Sequence, residues 1–301
     1  MADLAYNESS LERGVHVGSA PVLSASVVNL RGNRVRMLLA ALIAAGLLIV
    51  VAVVGRVVTP QAILVDFPHK NLAPSVAHLF GTDWMGRDML MRTLSALSTS
   101  LFVGLGAASA SSLIAFLLAC VSALGGRVAD TVVTWLIDLV MGLPHIVLLI
   151  LISYALGKGF TGVVVGVALT HWPSLARVLR AEILQARERP SVAVARALGA
   201  GPLDIALRHM VPAILPQFLV GMVLLFPHAI LHEASITFLG FGLSPDVPAI
   251  GVILSEAMGH LSAGMWWLAL FPGLALVLAV ALFDRMGSLL RRLVDARTVQ
   301  E

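Results

Sequence analysis

The sequence predicts an all-α membrane protein with six transmembrane helices, and three observations support this. Its 301 residues are 58% hydrophobic and only 12% charged, and the mean hydropathy is +0.94. A soluble chain of this size carries far more charge, so lipid is the solvent for most of this one. The apolar residues form runs near the roughly 20 residues that a helix needs to cross the hydrocarbon. One long amphipathic stretch, residues 190–212, interrupts these runs.

The apolar runs divide the chain into a membrane core with polar ends. Residues 1–36 are expected to form a polar tail, and residues 37–58 a first span that is retained, because no cleavage pattern stands beside it. A hydrophilic segment over residues 59–92 leads to a five-helix core over residues 93–295, and residues 296–301 form the C-terminal tail. The core spans are predicted at about 93–124, 128–156, 160–184, 213–231 and 265–283, with a kink at Pro144 and a polar loop over 233–263.

The basic residues predict which side of the membrane each loop faces. Six spans put both termini on one side, and with the termini inside, fifteen of the 20 lysines and arginines are cytoplasmic. This arrangement follows the positive-inside rule, whereas the reverse one violates it. Both termini and residues 190–212 are therefore expected in the cytoplasm, and residues 59–92 outside. Because the arginines lie at the ends of spans instead of on one basic face, nucleic acid is not an expected partner.

Residues 190–212 are predicted to form a helix, a bend and a second helix at the membrane surface. Apolar and charged side chains alternate there with the period of a helix. Gly199 and the Gly201-Pro202 pair end the first helix, because glycine accepts positive φ and proline begins a new turn without needing an N–H. Two interpretations stay open, a helix resting on lipid and a docking element for a cytoplasmic partner.

The same stretch resembles the cytoplasmic "EAA" loop of binding-protein-dependent ABC importer permeases. The resemblance lies in the Ala-Arg-Ala-Leu-Gly run at residues 195–199 and in the residues after it. In that family the loop forms helices held in a groove of the ATP-binding subunit, so the resemblance implies a coupling role for a set of residues here. These are Ala193, Ala195, Arg196, Ala197, Leu198, Gly199, Ala200, Pro202, Leu203, Ile205, Arg208 and His209. Gly199 matches the glycine of the motif, whereas Ala193 stands where the motif has glutamate.

Two further stretches are similar to the peptide/nickel class of these permeases, and specifically to its C-type subunit. They are GTDWMGRD at residues 81–88 and EASITFLGFGLSP at residues 233–245, and the resemblance covers about residues 37–295. It implies the type I ABC importer permease fold in a bacterial inner membrane. The implied partners are the lipid bilayer, a homologous permease, two ATP-binding subunits and an extracytoplasmic solute-binding protein. The sequence has no GxxxxGK[ST] loop, so ATP-Mg is expected in the partner subunits and no cofactor in this chain.

Histidines direct the choice of cargo toward nickel. His228 and His232 stand four residues apart, so in a helix they share one face and can present imidazoles to one ion. HAILHEASITFLG, and His171 in ALTHWPSLAR, resemble the nickel branch of the class. Neutral imidazole suits Ni²⁺, and the sequence therefore predicts transient Ni²⁺ as cargo, free or chelated, with His228 and His232 as metal ligands. The alternative cargo is a short peptide, imported by the same architecture. The alternative role for the two histidines is structural, with hydrogen bonds between helices satisfying both rings.

Other ionisable residues are candidates for the transport path or for the external segment. Glu233, Asp138 and His145 join the histidines as path candidates, because ionisable groups at membrane depth are costly unless they serve a function. Glu233 is equally able to orient a histidine. Two acidic residues and an arginine of the external segment, Asp83, Arg87 and Asp88, are expected to fix its own fold, or else to contact the solute-binding protein.

An intramembrane metalloprotease is the competing function of a different class. His232 and Glu233 begin a zinc-like pattern, but Ile236 stands where the HExxH spacing requires the second histidine. The sequence therefore predicts a transport subunit and not an enzyme.

Overall fold

The structure is a computed structural model that describes residues 26–294, with side chains from residue 34 onward. Ten α-helices account for most of these residues. Their bounds are α1 Ser26–Ala62, α2 Met89–Leu124, α3 Gly126–Gly142, α4 His145–Ala155, α5 Gly159–Arg187, α6 Pro190–Ala197, α7 Pro202–Ile205, α8 Val211–Phe238, α9 Ile250–Met258 and α10 Trp267–Val294. Because α1 begins at Ser26, the last part of the predicted tail is helical. The predicted C-terminal tail lies outside the described residues.

Five helical stretches of the described chain are long and apolar enough to cross a membrane. They are Arg34–Val57, Met89–Leu124, Gly159–Arg187, Pro202–Phe238 and Trp267–Val294. A sixth crossing results if the bent pair α3 and α4 is counted as one span. The all-helical membrane fold is therefore confirmed, and the side of the membrane on which the termini lie stays a prediction.

The third predicted span is two helices and not one kinked helix. The axes of α3 and α4 differ by 96° at the break after Gly142. Leu143 is extended, with φ −90° and ψ 145°, because the ring of Pro144 disfavours helical backbone in the residue before it. The proline was expected to kink the span, and the structure shows a much sharper turn that starts α4 at His145.

The prediction of a polar loop over residues 233–263 is also wrong. Helix α8 continues through Phe238, and residues 250–258 form a buried helix, α9. The two helices pack closely because Gly251 has no side chain, and a Cβ there would collide with the carbonyl oxygen of Ala234. Burial against α9 and α2 holds the polar residues of HEASITF in a helix that their composition alone does not favour.

Helix α2 is the central helix of the bundle and packs against α1, α5 and α8. Its buried faces are lined with small residues, namely Ala96, Gly104, Ala107, Ala108, Ser111, Ser112, Ala115 and Ala119. Small residues let helices approach closely in lipid, where packing drives association. A Cβ at Gly104 would lie 2.5 Å from Cγ1 of Ile230 on α8. The close approach of α2 and α8 therefore depends on that glycine.

The two segments singled out by the sequence lie at opposite ends of α2. Residues 81–88 fold against its start at Met89, whereas residues 196–210 border a cavity of about 280 Å³ that also touches its end at Leu124. A helix of 36 residues is about 54 Å long at 1.5 Å per residue. That length exceeds the hydrocarbon core of a bilayer, so the two segments fit opposite membrane surfaces.

Candidate functional site

A cavity of about 500 Å³ opens beside the break between α3 and α4. Its wall consists of residues from α3, the break, α4, α5 and α8. They are Val140, Met141, Leu143, His145, Thr170, His171, Pro173, Ser174, Leu225, His228 and His232. Three of the four histidines predicted for the transport path come together in one wall of this cavity.

His145, His171 and His232 form a compact cluster, which we call the histidine triad. One ring nitrogen from each residue lies within 4.8 Å of the other two. The ring centroids are 4.4 Å apart for His145 and His171, and 4.7 Å apart for each pair with His232. All three pairs meet edge to face, with interplanar angles of 80–82°. The triad joins the consecutive helices α4 and α5 to α8, whose His232 lies 61 positions after His171.

Backbone carbonyls orient two of the three rings. Nδ1 of His171 lies 3.0 Å from the carbonyl oxygen of Val167, and Nδ1 of His232 lies 2.8 Å from that of His228. A carbonyl oxygen only accepts hydrogen bonds, so each of these Nδ1 atoms carries the proton. Nε2 of His171 is then an acceptor, and it lies 3.3 Å from Nδ1 of His232.

The triad is largely removed from water. His171 is 8% exposed, while His145 and His232 are half-buried. Nε2 of His145 is buried and has no hydrogen-bond partner among the described residues. Buried polar atoms are normally paired, so this nitrogen is free to bind a group that enters the cavity.

His228 does not join the triad, although the spacing paired it with His232. Its imidazole is exposed, and its backbone carbonyl binds the ring of His232. The sequence predicted which helix face carries both residues, but the partners of His232 come from α4 and α5. Only tertiary packing brings those partners to α8.

Glu233 points away from the cavity, because adjacent residues of a helix project about 100° apart. It is completely buried, and its Oε1 accepts a 2.9 Å hydrogen bond from the hydroxyl of Thr237. Oε2 has no partner of standard geometry in the described part of the chain, and the same holds for the nearby hydroxyl of Ser100 on α2. Glu233 therefore bonds to no histidine in this structure and does not line the cavity.

The stretch at residues 233–245 connects α8 to the turn between α4 and α5. The hydroxyl of Thr237 accepts from the backbone N–H of Leu243 at 3.1 Å. Ser153 donates to the carbonyl of Phe241 at 2.8 Å, and the backbone N–H of Gly159 donates to that of Gly242 at 2.9 Å. These bonds fix the ends of the three helices that carry the triad.

Asp138 lies outside the cavity wall. Its carboxylate pairs with Arg177 of α5 at 2.8 Å, and both side chains are more than half exposed. The break after Gly142 separates Asp138 on α3 from His145 on α4. The cavity wall therefore includes His145 but not Asp138, and a role of Asp138 in the transport path stays a prediction.

The residues predicted to fix the external segment form a buried ion network. Oδ1 of Asp83 accepts the backbone N–H groups of Met85 and Arg87, at 2.8 and 2.9 Å. Its Oδ2 binds Arg87 at 2.6 Å and Arg92 at 3.0 Å. Arg92 also reaches Glu256 of α9 at 2.7 Å. The network ties residues 81–88 to α2 and α9. Arg92 and Glu256 were not predicted to belong to it, although charged residues beside apolar runs indicate a role of this kind.

Asp88 is the N-cap of α2. Its Oδ1 accepts the backbone N–H groups of Leu90 and Met91, at 2.9 and 3.1 Å, and its Oδ2 pairs with His78 at 2.8 Å. A capping carboxylate of this kind stabilises a helix by about 1 kcal/mol. The cap explains why α2 begins at Met89 and not at the predicted residue 93.

The segment 190–212 has the predicted helix, bend and helix. Helix α6 ends in a Schellman motif, in which the N–H of Gly199 donates to Arg196 and that of Ala200 to Ala195, both at 3.0 Å. Gly199 has φ +86°, as the motif requires. The apolar residues do not share one side, because some are buried against the bundle while Leu198 is 83% and Leu203 65% exposed.

A family comparison decides what kind of protein carries these features. Residues 111–300 match the model of the binding-protein-dependent transport system inner membrane component. This region contains the triad, the segment 190–212 and most of the bundle. The chain belongs to this family. It is therefore a permease component of an ABC importer in a bacterial inner membrane.

Named relatives cover most of the chain. It is 39% identical over 234 residues to a Brucella suis protein provisionally named a peptide permease, which covers 77% of this chain and 78% of that protein. It is 30% identical over 251 residues to the dipeptide transport system permease protein of Bacillus subtilis, covering 83% and 78%. The crystal structure of an amino acid ABC transporter with histidines has a TM-score of 0.53 at 20% identity, over 67% of this chain and 93% of that chain. That structural likeness supports the fold.

Proposed function

We propose that this chain is one of two permease subunits of an ATP-driven importer, and that its cargo is a short peptide. The observation that carries the cargo assignment is the naming of its relatives as peptide and dipeptide permeases, over about four-fifths of the chain. The assignment replaces nickel, the cargo first expected from the sequence, for which these relatives offer no support.

The proposed driving partners are two ATP-binding subunits that dock on the segment 190–212. Three leucines of this segment are exposed, with Leu198 83%, Leu203 65% and Leu207 59% accessible. Three exposed leucines within ten residues of the chain suit an interaction surface. Val192 and Ile205 of the same segment are buried in the bundle. A force on the exposed leucines is thereby transmitted to the helices, and ATP-driven closure of the partners moves the path.

The proposed remaining partners are a homologous permease and an extracytoplasmic binding protein. A path between two permeases exposes cargo to the cavity beside α4, α5 and α8. Its wall combines apolar side chains with the hydroxyls of Thr170 and Ser174 and with imidazole nitrogens. The wall therefore offers both hydrogen-bond donors and acceptors to the amide groups of a peptide. Among the residues that the structure describes, it contains no Asp, Glu, Lys or Arg, and the lack of these charges suits release of the peptide.

Reconstituted transport tests this proposal. The chain, its homologous permease, the two ATP-binding subunits and the binding protein are placed in liposomes, and uptake of a radiolabelled dipeptide is followed with and without ATP. ATP-dependent uptake that is lost in Leu203→Asp supports the proposal, with Lys70→Asp at the opposite end of the bundle as the matched control. Absence of ATP-dependent dipeptide or oligopeptide uptake by an assembled, ATP-hydrolysing complex would contradict it.

Nickel import is the second candidate, and one observation favours it. The histidine triad offers three nitrogen donors within 4.8 Å of one another, and imidazole suits Ni²⁺. Uptake of ⁶³Ni by the same liposomes, with and without a chelator, separates the two cargoes. Nickel import requires ATP-dependent ⁶³Ni accumulation that is lost in His232→Gln.

A further inference from the structure

The histidine triad has the composition and spacing of an unassigned metal site. Three nitrogens bound to one tetrahedral ion at about 2.0–2.1 Å lie about 3.3 Å apart. In the triad the nitrogens lie within 4.8 Å of one another. Closing the remaining gap takes about 1.5 Å or less, a shift that we expect from rotation of the side chains between rotamers.

We infer that His145, His171 and His232 bind a single divalent transition-metal ion through one nitrogen each, with the open side of the ion facing the cavity. All three residues line the wall of the 500 Å³ cavity. This ion is held by the chain itself and is not the peptide cargo. The site therefore goes beyond the proposed peptide import.

The first argument is that the triad contains a buried ring nitrogen without a partner. Nε2 of His145 is buried without a hydrogen-bond partner in the described part of the chain. An unpaired buried polar atom costs about 1–3 kcal/mol. In the tautomer that leaves Nε2 unprotonated, a metal ion at the centre of the triad binds this nitrogen, whereas a core of hydrogen-bonded histidines leaves it unpaired.

The second argument is that the surrounding backbone holds the rings as it does at metal sites. Histidines that bind metals commonly donate their other ring N–H to a carbonyl or carboxylate, which fixes the tautomer and the ring orientation. Nδ1 of His171 donates to the carbonyl of Val167 at 3.0 Å, which leaves Nε2 unprotonated and directed at His232. The carbonyl of His228 holds the ring of His232 in the same way.

The chemistry of the donors selects the class of ion. Neutral imidazoles suit Zn²⁺, Cu²⁺ and Ni²⁺, while Mg²⁺ and Ca²⁺ need oxygen ligands. The triad contains no carboxylate or thiolate, and Glu233 lies beside Ser100 of α2 and does not line the cavity. The bound ion therefore keeps its double charge, and water or an anion from the cavity completes its coordination. A site of this kind exchanges its ion more readily than a closed structural site.

Metal binding by the purified complex tests the inference without any transport measurement. The assembled importer, made with a tag that lacks histidine and stripped with a chelator, is placed in lipid nanodiscs and titrated with Co²⁺. The wild type is expected to show the visible absorption of cobalt bound to nitrogen, saturating at one ion for each copy of this chain. His145→Gln, His171→Gln and His232→Gln are each expected to weaken binding at least about tenfold, since even loss of a group that only orients a ligand costs 10–100-fold.

His228→Gln is the matched control. It lies on the same helix and in the same cavity wall as His232, one turn away, but its ring is outside the triad. Its Co²⁺ affinity is expected to equal that of the wild type. Equal loss of binding in this variant would overturn the inference, because binding would then depend on exposed histidines in general.

Two measurements on the wild type guard against variants that fold poorly. Electron paramagnetic resonance of bound Cu²⁺ is expected to show hyperfine coupling to more than one imidazole nitrogen. Zn²⁺ is expected to raise the Tm of the complex, because one ion joins three helices and binds only the folded state. A wild type that binds no stoichiometric Co²⁺ and shows no Tm shift with Zn²⁺ overturns the inference, even where peptide uptake is intact.

Discussion

Nε2 of His171 lies 3.3 Å from Nδ1 of His232 and so links α5 to α8 across the wall of the cavity. The two residues are 61 positions apart in the chain. His145 completes the group from α4, which exists as a separate helix only because the chain turns by 96° before it. The position of this group depends on the packing of the helices and the bonds at their ends, and both can be tested.

Removing Arg92 should destabilise the bundle at the end that carries residues 81–88. Arg92 is 3% exposed and binds both Asp83 and Glu256. Breaking a buried ion pair by removing one partner costs up to about 3–5 kcal/mol, and the cost is smaller here because Arg87 still pairs with Asp83. Thermal unfolding of Arg92→Ala in nanodiscs should show a clearly lower Tm. Lys70→Ala, at an exposed position of the external segment 59–92, should leave the Tm unchanged. An unchanged Tm in Arg92→Ala would show that the ion network does not stabilise the bundle.

Adding a methyl group at Gly104 should separate α2 from α8. A Cβ there would lie 2.5 Å from Ile230, whereas a Cβ at Gly106, two residues later, would lie 3.9 Å from the side chain of Val164. Overpacking of this kind costs about 1–3 kcal/mol. Gly104→Ala should therefore lower the Tm and the yield of assembled complex, and Gly106→Ala should not. Equal effects of the two substitutions would show that the close approach is not what the glycine provides.

Replacing Gly199 should disturb the segment 190–212 without disturbing the bundle. Both Gly199 and Gly201 have open space where a Cβ would be, but only Gly199 has positive φ, at +86°. The left-handed conformation costs a residue with a side chain about 1–2 kcal/mol. Gly199→Val should weaken co-purification of the ATP-binding subunits and slow peptide uptake, while Gly201→Ala should do neither. Full coupling in Gly199→Val would count against the docking role of this bend.

Thr237→Val should cost stability because it removes a hydroxyl that makes two bonds. Thr237 donates to buried Glu233 and accepts from the backbone of Leu243. Leaving such buried groups without a partner costs about 1–3 kcal/mol. Ser235→Ala is the matched control, since its hydroxyl is exposed and bonds only within its own helix, and surface changes usually stay within about 0.5 kcal/mol. Denaturation midpoints of the two variants that coincide would contradict this role of Thr237.

Composition and spacing predicted a large part of the fold. The apolar runs indicated the membrane helices, because a run long enough to cross the hydrocarbon has few other stable environments. Pro144 indicated an interruption of the third span, and the pattern around Gly199 indicated a bend that the φ of this residue requires. Asp88 was expected to help fix the fold of the external segment, and it caps α2. These features depend on local backbone chemistry or on solvent, so nearby residues suffice to predict them.

Other features depended on contacts between distant residues. Helix α8 continues past His232 because it is buried against α9. The polar residues of HEASITF do not indicate this burial. The partners of His232 are on α4 and α5, and one of the two partners of Arg92 is on α9. No local rule pairs such residues, since their separation along the chain is unrelated to their separation in space.

The amino-acid sequence by itself determined that this chain lies in lipid, that its backbone is helical there and that it belongs among ABC importer permeases. Its hydrophobic runs and its motifs are properties of short stretches, and the bilayer leaves a helix as the way for such a stretch to satisfy its backbone. Only the tertiary structure decided that His145 and His171, and not His228, surround His232. A 96° turn and the close packing of small residues bring three helices to one point, and that convergence depends on the fold as a whole.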